Sequence, residues 1–367
     1  EFHVDYDRVH PGESDKATPF IMASFDIECT SGDGTFPQAT RPDDKIIQIF
    51  TTFYKYGENE PYYIHACVLG DTSPIDGVEM ECFENEADLL MSWQRVMRDI
   101  KPDVLLGYNI LGFDLQYLWG RAQFTRCVED FRYLSKLIEH PCELETRTFT
   151  SNAYGHTESY HLEMPGILQI DLLQIIKREH KLESYKLDFV GEHFMKERKL
   201  DVSPRQIFEL FLQGPDERKR VGEYCLQDTK LPMRLMNKLT IFPNMIEMAN
   251  VTRVPFEWLM SRGQQIKVFS QLVYECRKAG YLIPILPKMK DDAGYVGATV
   301  LHAMAGGYYE PITGLDFASL YPTIMIANNL CYTSRVKGLF GDEFELDEDA
   351  MSDAEHESGF RRCISKR

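Results

Sequence analysis

The sequence predicts an α/β protein with more than one domain. Its 367 residues exceed one ordinary domain, and a hydrophobic content of 44% is enough for two packed cores. Apolar strand-like segments alternate with helical periodicities up to about residue 240, which is typical of α/β architecture. Helical segments then follow without strands, and a strand and helix near residue 313 indicate a second αβ region.

The first elements are predicted from apolar runs bounded by turn residues. Residues 19–28 form an apolar run ahead of the glycine-rich loop 31–35, and we expect a buried strand there. Helical periodicity over 86–100 stops at Lys101 and Pro102, which marks a helix end. Other strands of this first part are expected over 46–56, 62–69 and 104–107.

The middle of the chain predicts a hairpin and then mostly helices. Alternating residues between 142 and 166, with a turn at Gly155, indicate the hairpin. A strand over 167–171 leads into a helix that continues to residue 181. Further helices are expected over 215–239, 242–249, 255–279 and 319–329, with a last strand over 313–317.

The cysteines indicate the redox environment of the protein. The nine cysteines are scattered, odd in number and never spaced as CxxC, which favours free thiols in a reducing compartment and excludes a zinc or iron–sulfur module.

The chain shows neither a leader nor a membrane span. Residue 1 is Glu and no apolar leader follows, so we expect a piece of a longer protein. No apolar run approaches the roughly 20 residues of a membrane span, so we expect a soluble protein without a membrane partner.

The net charge of −17 argues against a nucleic-acid partner, because phosphate neutralisation by basic residues supplies most non-specific affinity. Two considerations weaken that argument. Metal-dependent nucleases concentrate carboxylates, and an acidic surface can coexist with a local basic groove. The charge therefore excludes no function class by itself.

Three segments supply candidate catalytic acids. Asp26 and Glu28 are two residues apart on a predicted strand and project from one face, although an exposed strand end with two solvated acids is the favoured interpretation of this motif taken alone. Asp114 ends the segment YNILGFD at a helix start, where helix capping is the alternative. Tyr224 and Asp228 share one helical face, and a core tyrosine beside a surface acid is the alternative there.

In their order along the chain, FDIE, YNILGFD and YCLQD resemble the three motifs of the DEDDy exonuclease domain of B-family DNA polymerases. The resemblance implies a ribonuclease-H-like fold and a pair of Mg²⁺ ions, for which Mn²⁺ can substitute. Asp171 is a fifth acidic candidate, but capping of the following helix is the favoured role. The resemblance assigns metal ligation to Asp26, Glu28, Asp114 and Asp228, and orientation of the attacking water to Tyr224.

A second set of motifs follows in the segment LDFASLYP, which resembles motif A of the same family. The resemblance places Asp316 and Phe317 at a metal, and makes Tyr321 a steric gate against a 2′-hydroxyl, with a buried core tyrosine as the alternative. The segment YVGA resembles the family's DNA-contacting YxGG/A motif, although a simple turn fits it too. The implied nucleotide-binding residues are Ser319, Leu320 and Tyr321, and the implied DNA-binding residues are Tyr295, Gly297 and Ala298.

The resemblance extends from about residue 20 to 332 and is strongest to the delta-type branch, which includes viral relatives. No motif similar to the family's motifs B and C follows motif A, so we expect a complete exonuclease site and a partial polymerase site. The expected domains are the tail of an amino-terminal domain (1–20), the exonuclease domain (21–240), a helical connector (241–290) and the start of a polymerase palm (291–367).

The implied function is replicative, template-directed DNA synthesis with 3′→5′ proofreading. The implied partners are primer–template DNA, single-stranded 3′ ends, deoxynucleoside triphosphates and a sliding clamp, in the nucleus or a viral replication compartment. A stand-alone exonuclease and a non-catalytic scaffold are the alternatives. Motif A disfavours the first, because an enzyme without synthesis has no use for a sugar gate. The complete carboxylate set disfavours the second.

Overall fold

A computed structural model describes residues 3–8, 18–137, 139–151, 155–196, 203–283, 297 and 299–330. The chain forms two compact units, Glu1–Gln271 and Leu272–Arg367, and each is treated by itself below. The first unit is a mixed α/β domain, so the predicted fold class is confirmed at that level. None of the helices in the described ranges is long and apolar enough to cross a membrane.

The first unit is organised around a six-stranded mixed sheet. Its strands, together with those of a separate hairpin, are β1 (Ile21–Cys29), β2 (Ile46–Lys55), β3 (Tyr63–Leu69), β4 (Glu79–Phe83), β5 (Val104–Gly107), β6 (Leu144–Ser151), β7 (Gly155–Leu162) and β8 (Leu168–Asp171). The order is β4-β3-β2-β1-β5-β8, and β6 pairs with β7 in the hairpin. The strand β1 is central, antiparallel to β2 and parallel to β5, so a residue on β1 lies in the middle of the domain.

In the first unit, helices cover the sheet and connect its strands. The helices of the described residues are α1 (Glu86–Ile100), α2 (Asp114–Phe124), α3 (Val128–Phe131), α4 (Leu172–Glu179), α5 (Leu187–Met195), α6 (Pro204–Gln213), α7 (Pro215–Lys238), α8 (Ile241–Thr252), α9 (Phe256–Ser261), α10 (Gln264–Ala279) and, in the second unit, α11 (Leu320–Asn328). The helix α1 begins after Asn85, whose side chain accepts a hydrogen bond from the Asp88 amide, and ends at Lys101 in the left-handed conformation. These caps explain why its predicted bounds are confirmed.

The two faces of β1 meet different helices. On one face, Phe25 packs against Trp93 of α1, with ring centroids 5.4 Å apart. On the other face, the Ser24 hydroxyl donates a 2.6 Å hydrogen bond to the Thr229 carbonyl of α7. A side chain at Gly222 of α7 would place its Cβ 2.9 Å from the Phe50 ring, so glycine permits the helix to approach the sheet closely.

Several predicted elements need correction. The helix expected over 255–279 is two helices, α9 and α10, because Arg262 and Gly263 interrupt it and glycine disfavours helix interiors. Residues 313–317 are not a strand, since no other described segment pairs with them and a strand needs a hydrogen-bonded neighbour. The strand β4 and the helices α3, α5 and α6 were not predicted.

A buried ion pair ties three parts of the first unit together. Arg121 of α2 donates to both carboxylate oxygens of Glu86 in α1, at 2.8 and 2.5 Å, and both side chains are almost fully buried. The same guanidinium donates to the carbonyls of Ala39 and Arg41, and Glu86 accepts from the Ile46 amide of β2. The pair therefore fixes the loop between β1 and β2.

We expect Arg121→Met to lower the free energy of unfolding by about 3–5 kcal/mol, because it leaves the Glu86 charge buried and uncompensated. Urea unfolding followed by circular dichroism measures the change. The matched control is Arg205→Met, which breaks the exposed Arg205–Glu209 pair of α6 and should cost less than about 0.5 kcal/mol. Equal losses in the two variants would contradict this account of the buried pair.

Candidate active site

The acids of β1 lie beneath α7 instead of facing solvent. Glu28 is only 8% exposed and Asp26 is half-buried. The interpretation of these two residues as solvated acids at an open strand end is therefore wrong, because α7 packs on this face of the strand. Two carboxylates that share one covered face repel each other, which indicates that the site is built for a positive partner.

The turn that carries Asp114 is held by another acid, Asp171. The strand β5 runs into this turn, and Asp171 at the end of β8 accepts hydrogen bonds from the amides of Asn109 (2.8 Å) and Leu111 (3.1 Å). Asp171 also accepts from the Leu173 amide and caps α4, as predicted. Its capping role is confirmed, and it additionally fixes the position of the turn before Asp114.

Asp114 is the first residue of α2 and is 4% exposed. The N-cap position is Phe113, which makes no side-chain hydrogen bond, so Asp114 does not occupy the N-cap position itself. Burial, together with the charges of Asp171 and Asp228, raises the pKa of the Asp114 carboxyl to about 7, against the lowering effect of backbone hydrogen bonds from Asp114 and Ile27. This carboxyl is therefore placed where a nearby cation would greatly favour its ionised form.

Tyr224 and Asp228 project from one face of α7. Asp228 is 7% exposed, so it is not a surface acid as the alternative interpretation held. Burial, and then the charges of Asp228, Glu28 and Asp26, hold the pKa of the Tyr224 hydroxyl well above its usual value. The hydroxyl stays protonated at any physiological pH and can donate a hydrogen bond to a water, but it cannot act as a base.

The acids of β1, α2 and α7 lie close enough to act on the same neighbouring groups. The charges of Asp26, Glu28 and Asp228, added to burial, raise the pKa of the Cys225 thiol, and Asp228 in turn raises that of Asp114. One ligand atom each of Asp26, Glu28 and Cys225 lies within 4.8 Å of the others. The structure thus brings together acids from β1, α2 and α7. Cys225 was missed by sequence reasoning, because a cysteine outside a CxxC pattern looks like an ordinary core residue.

An aromatic row beside the acids was also missed. Phe36, in the loop between β1 and β2, is 71% exposed, and its ring lies 5.2 Å from that of Phe113. Phe113 in turn lies 5.0 Å from Tyr117 and immediately precedes Asp114. Exposed aromatic rings give nucleobases a surface on which to stack. In the sequence, the only indication was a phenylalanine directly after the glycine-rich loop 31–35, which by itself is weak evidence.

The donor set fits divalent cations. Four carboxylates supply hard oxygen ligands of the kind that Mg²⁺ and similar ions require, and their mutual repulsion is relieved when a cation binds.

The backbone at Gly107 lets the turn that carries Asp114 lie close to β1. A Cβ at Gly107, at the end of β5, would lie 3.0 Å from the Phe25 carbonyl and 2.3 Å from the Ile110 side chain, so only glycine brings the Asp114 turn this close to β1.

Motif A lies in the second unit. The helix α11 begins at Leu320 and includes Pro322 in its first turn, where proline is tolerated. Tyr321 is 76% exposed, which does not fit the alternative of a buried core tyrosine, and Asp316, Phe317, Ser319 and Leu320 are exposed as well. Gly297 is exposed, whereas Tyr295 and Ala298 lie outside the described residues.

Comparison with known families agrees with this geometry. Residues 1–190 match the sequence profile "DNA polymerase family B, exonuclease domain", and residues 254–367 match the profile "DNA polymerase family B". The chain belongs to DNA polymerase family B. Domains of this family depend on divalent metal ions, in keeping with the carboxylate set.

Curated relatives of this family B chain include DNA polymerase delta catalytic subunits. The rice (Oryza sativa subsp. japonica) subunit is 44% identical over 89% of the chain, the Schizosaccharomyces pombe subunit 41% over 92%, and the Bos taurus subunit 42% over 93%. The matched region is 29%, 31% and 31% of these relatives, respectively. The chain therefore spans about three-tenths of their length.

We expect Asp114→Asn to stabilise the protein in buffer that contains a chelator. Folding raises the pKa of this carboxyl from near 4 to about 7. Above about pH 7 the carboxylate is ionised in both states, and its burial costs the folded protein stability. Below about pH 4 it is protonated in both states and costs nothing. At pH 8 the variant should gain on the order of 2–4 kcal/mol. Urea unfolding at pH 8 and pH 5.5 measures both the gain and its decline at lower pH.

The control for this experiment is Asp76→Asn, which neutralises an exposed loop acid and should leave stability unchanged at both pH values. An Asp114→Asn variant that is less stable than the wild type at pH 8 would show that the carboxylate is satisfied by the protein alone. That result would contradict a site that requires a cation.

Proposed function

We propose that this chain is the proofreading part, with the beginning of the polymerase palm, of a replicative, template-directed DNA polymerase of the delta type. The proposal depends chiefly on one observation: four carboxylates from β1, α2 and α7 converge on a covered face of the sheet, with Tyr224 beside them. Family membership supports it. We further propose that the mixed sheet with a central β1 is a ribonuclease-H-like fold.

The substrate of the exonuclease is proposed to be the 3′ end of single-stranded DNA. Asp26, Glu28, Asp114 and Asp228 would hold two Mg²⁺ ions, for which Mn²⁺ can substitute. Bound ions of this kind supply an activated water and stabilise the leaving 3′ oxygen. Tyr224, as a permanent hydrogen-bond donor, orients the attacking water, and Phe36 and Phe113 stack on the terminal bases.

The polymerase residues are proposed from motif A and its surroundings. Asp316 and Phe317 would contribute to a metal site, while Ser319, Leu320 and Tyr321 contact an incoming deoxynucleoside triphosphate. Exposure of Tyr321 leaves its ring available to a nucleotide sugar. DNA contacts are assigned to Tyr295, Gly297 and Ala298, and the domain limits proposed are 21–240 for the exonuclease, 241–290 for the connector and 291–367 for the palm.

The cellular setting follows from this proposal. A replicative polymerase works on primer–template DNA and is held there by a sliding clamp, so we propose these as partners of the parent protein. A nuclear location, or a viral replication compartment, is proposed on the same basis. These proposals concern the parent protein, of which the chain corresponds to about three-tenths of the relatives' length.

We expect the chain to shorten 5′-labelled single-stranded DNA from its 3′ end when Mg²⁺ is present. In the double variant Asp26→Ala, Glu28→Ala the rate should fall by roughly 1000-fold or more, because loss of one stabilising group already costs about 100- to 1000-fold. Gel electrophoresis of the labelled products measures the rate and the polarity.

The matched control is Glu58→Ala, Glu60→Ala, which removes two exposed acids with the same sequence spacing and should leave the rate unchanged. If the Asp26, Glu28 double variant shortens DNA as fast as the wild type, the proposed exonuclease site is wrong. Products that appear from the 5′ end would exclude the proposed polarity.

We expect Tyr224→Phe to slow cleavage by roughly 100-fold, since an unoriented water loses the advantage of positioning. Single-turnover cleavage between pH 7 and 9 is the measurement. Because the pKa of the Tyr224 hydroxyl is well above its usual value, the wild-type rate should show no break due to loss of its proton in this range. The control is Tyr133→Phe on the surface, and a Tyr224→Phe rate equal to that of the control would remove this residue from the mechanism.

A further inference from the structure

The thiol of Cys225 lies inside the carboxylate site, yet the proposed exonuclease chemistry does not use it. Cys225 is fully buried on α7, and its Sγ is 3.7 Å from both the backbone carbonyl and the Oδ2 of Asp26. Mg²⁺ prefers oxygen ligands, whereas a thiolate is a ligand for softer ions such as Zn²⁺. The thiol is thus placed where it could change which cation the site accepts.

The distance between Cys225 and Asp26 matches one edge of a tetrahedral site for such an ion. With Zn–S near 2.3 Å and Zn–O near 2.1 Å, a tetrahedral angle separates sulfur and oxygen by about 3.6 Å. The observed distance between Cys225 Sγ and Asp26 Oδ2 is 3.7 Å, and a Glu28 oxygen completes a set that lies within 4.8 Å. Two elements of the rigid core, β1 and α7, hold these ligands.

We propose that Asp26, Glu28 and Cys225 form a capture site for a thiophilic divalent cation, such as Zn²⁺ or Cd²⁺. A water molecule would complete the tetrahedron. On binding, the thiol releases its proton to the buffer as the sulfur–metal bond forms. The captured ion occupies two carboxylates that the exonuclease needs for Mg²⁺, so it should inhibit DNA cleavage. This consequence rests on the proposed function.

Cys29 provides an internal comparison. It follows Glu28 directly and is also buried, but it belongs to the core cluster of Phe25 and Ile27 on the α1 side of the sheet. Among the described residues, the group with metal-ligand spacing contains Cys225 and not Cys29. A buried thiol outside this group should therefore not bind the ion.

The test is a titration of the whole chain with Cd²⁺ in magnesium-free buffer, followed by the ultraviolet thiolate-to-cadmium charge-transfer band and by calorimetry. The wild type and Cys29→Ser should bind one Cd²⁺ with this band. Cys225→Ser and Cys225→Ala should lose this band. Loss of a residue that only contacts a metal ligand lowers metal affinity by roughly 10- to 100-fold. Because Cys225 is proposed to be a ligand itself, the Cd²⁺ affinity of these variants should fall by more than that. Mg²⁺ affinity should fall by no more than the effect of losing such a contacting residue in both Cys225 variants.

Asp26→Asn provides a test that leaves the thiol and its packing in place, and it should also lose the band. A band of wild-type intensity in Cys225→Ala or in Asp26→Asn would overturn the proposal. In the exonuclease assay, the Zn²⁺ concentration that halves the rate should rise at least about tenfold in Cys225→Ser. The charge-transfer band is measured without DNA, so the two proposals can fail separately. If the wild type cleaves DNA with Mg²⁺ but shows no band, only the capture site is refuted. If it shows the band but cleaves no DNA, only the exonuclease is refuted.

Discussion

Close packing of α7 against β1 is the contact on which the candidate site depends. Ser24 donates to the Thr229 carbonyl, and Gly222 lets the helix approach the Phe50 ring. Through this contact α7 covers the strand face that carries Asp26 and Glu28. The helix also places its own Asp228 and Tyr224 beside them. Like charges under cover raise one another's pKa and cost stability. A protein keeps such an arrangement where function requires it.

The parts around this contact are fixed by buried acids that accept several hydrogen bonds. Asp171 accepts from three backbone amides and so sets the turn before Asp114 and the start of α4. Glu86, paired with Arg121, sets the loop that carries Phe36. In both places an acid that looks like a catalytic candidate by type is satisfied by the protein itself. The acids of the site are distinguished by their proximity to one another.

Sequence reasoning was accurate where local chemistry decides the structure. The bounds of α1 follow from Asn85 and from the stop before Pro102, and those of β5 from a short apolar run between turn residues. It failed where tertiary contacts decide. The strand β4 exists because β3 pairs with it, and Cys225 reaches Asp26 only through the packing of α7. The four acids were found because their spacing repeats a known family pattern, whereas their burial was not visible in the sequence.

The net charge of −17 gains a different meaning from this structure. As composition it counts against a phosphate partner, since like charges repel. At the site, however, the acids are concentrated on one covered face, and a bound cation would reverse the local sign of charge there. Negative protein and negative DNA can then share the ions that lie between them. The same concentration of ligands makes the choice of cation decisive, because a thiol at 3.7 Å from Asp26 adds a soft ligand to an otherwise hard set.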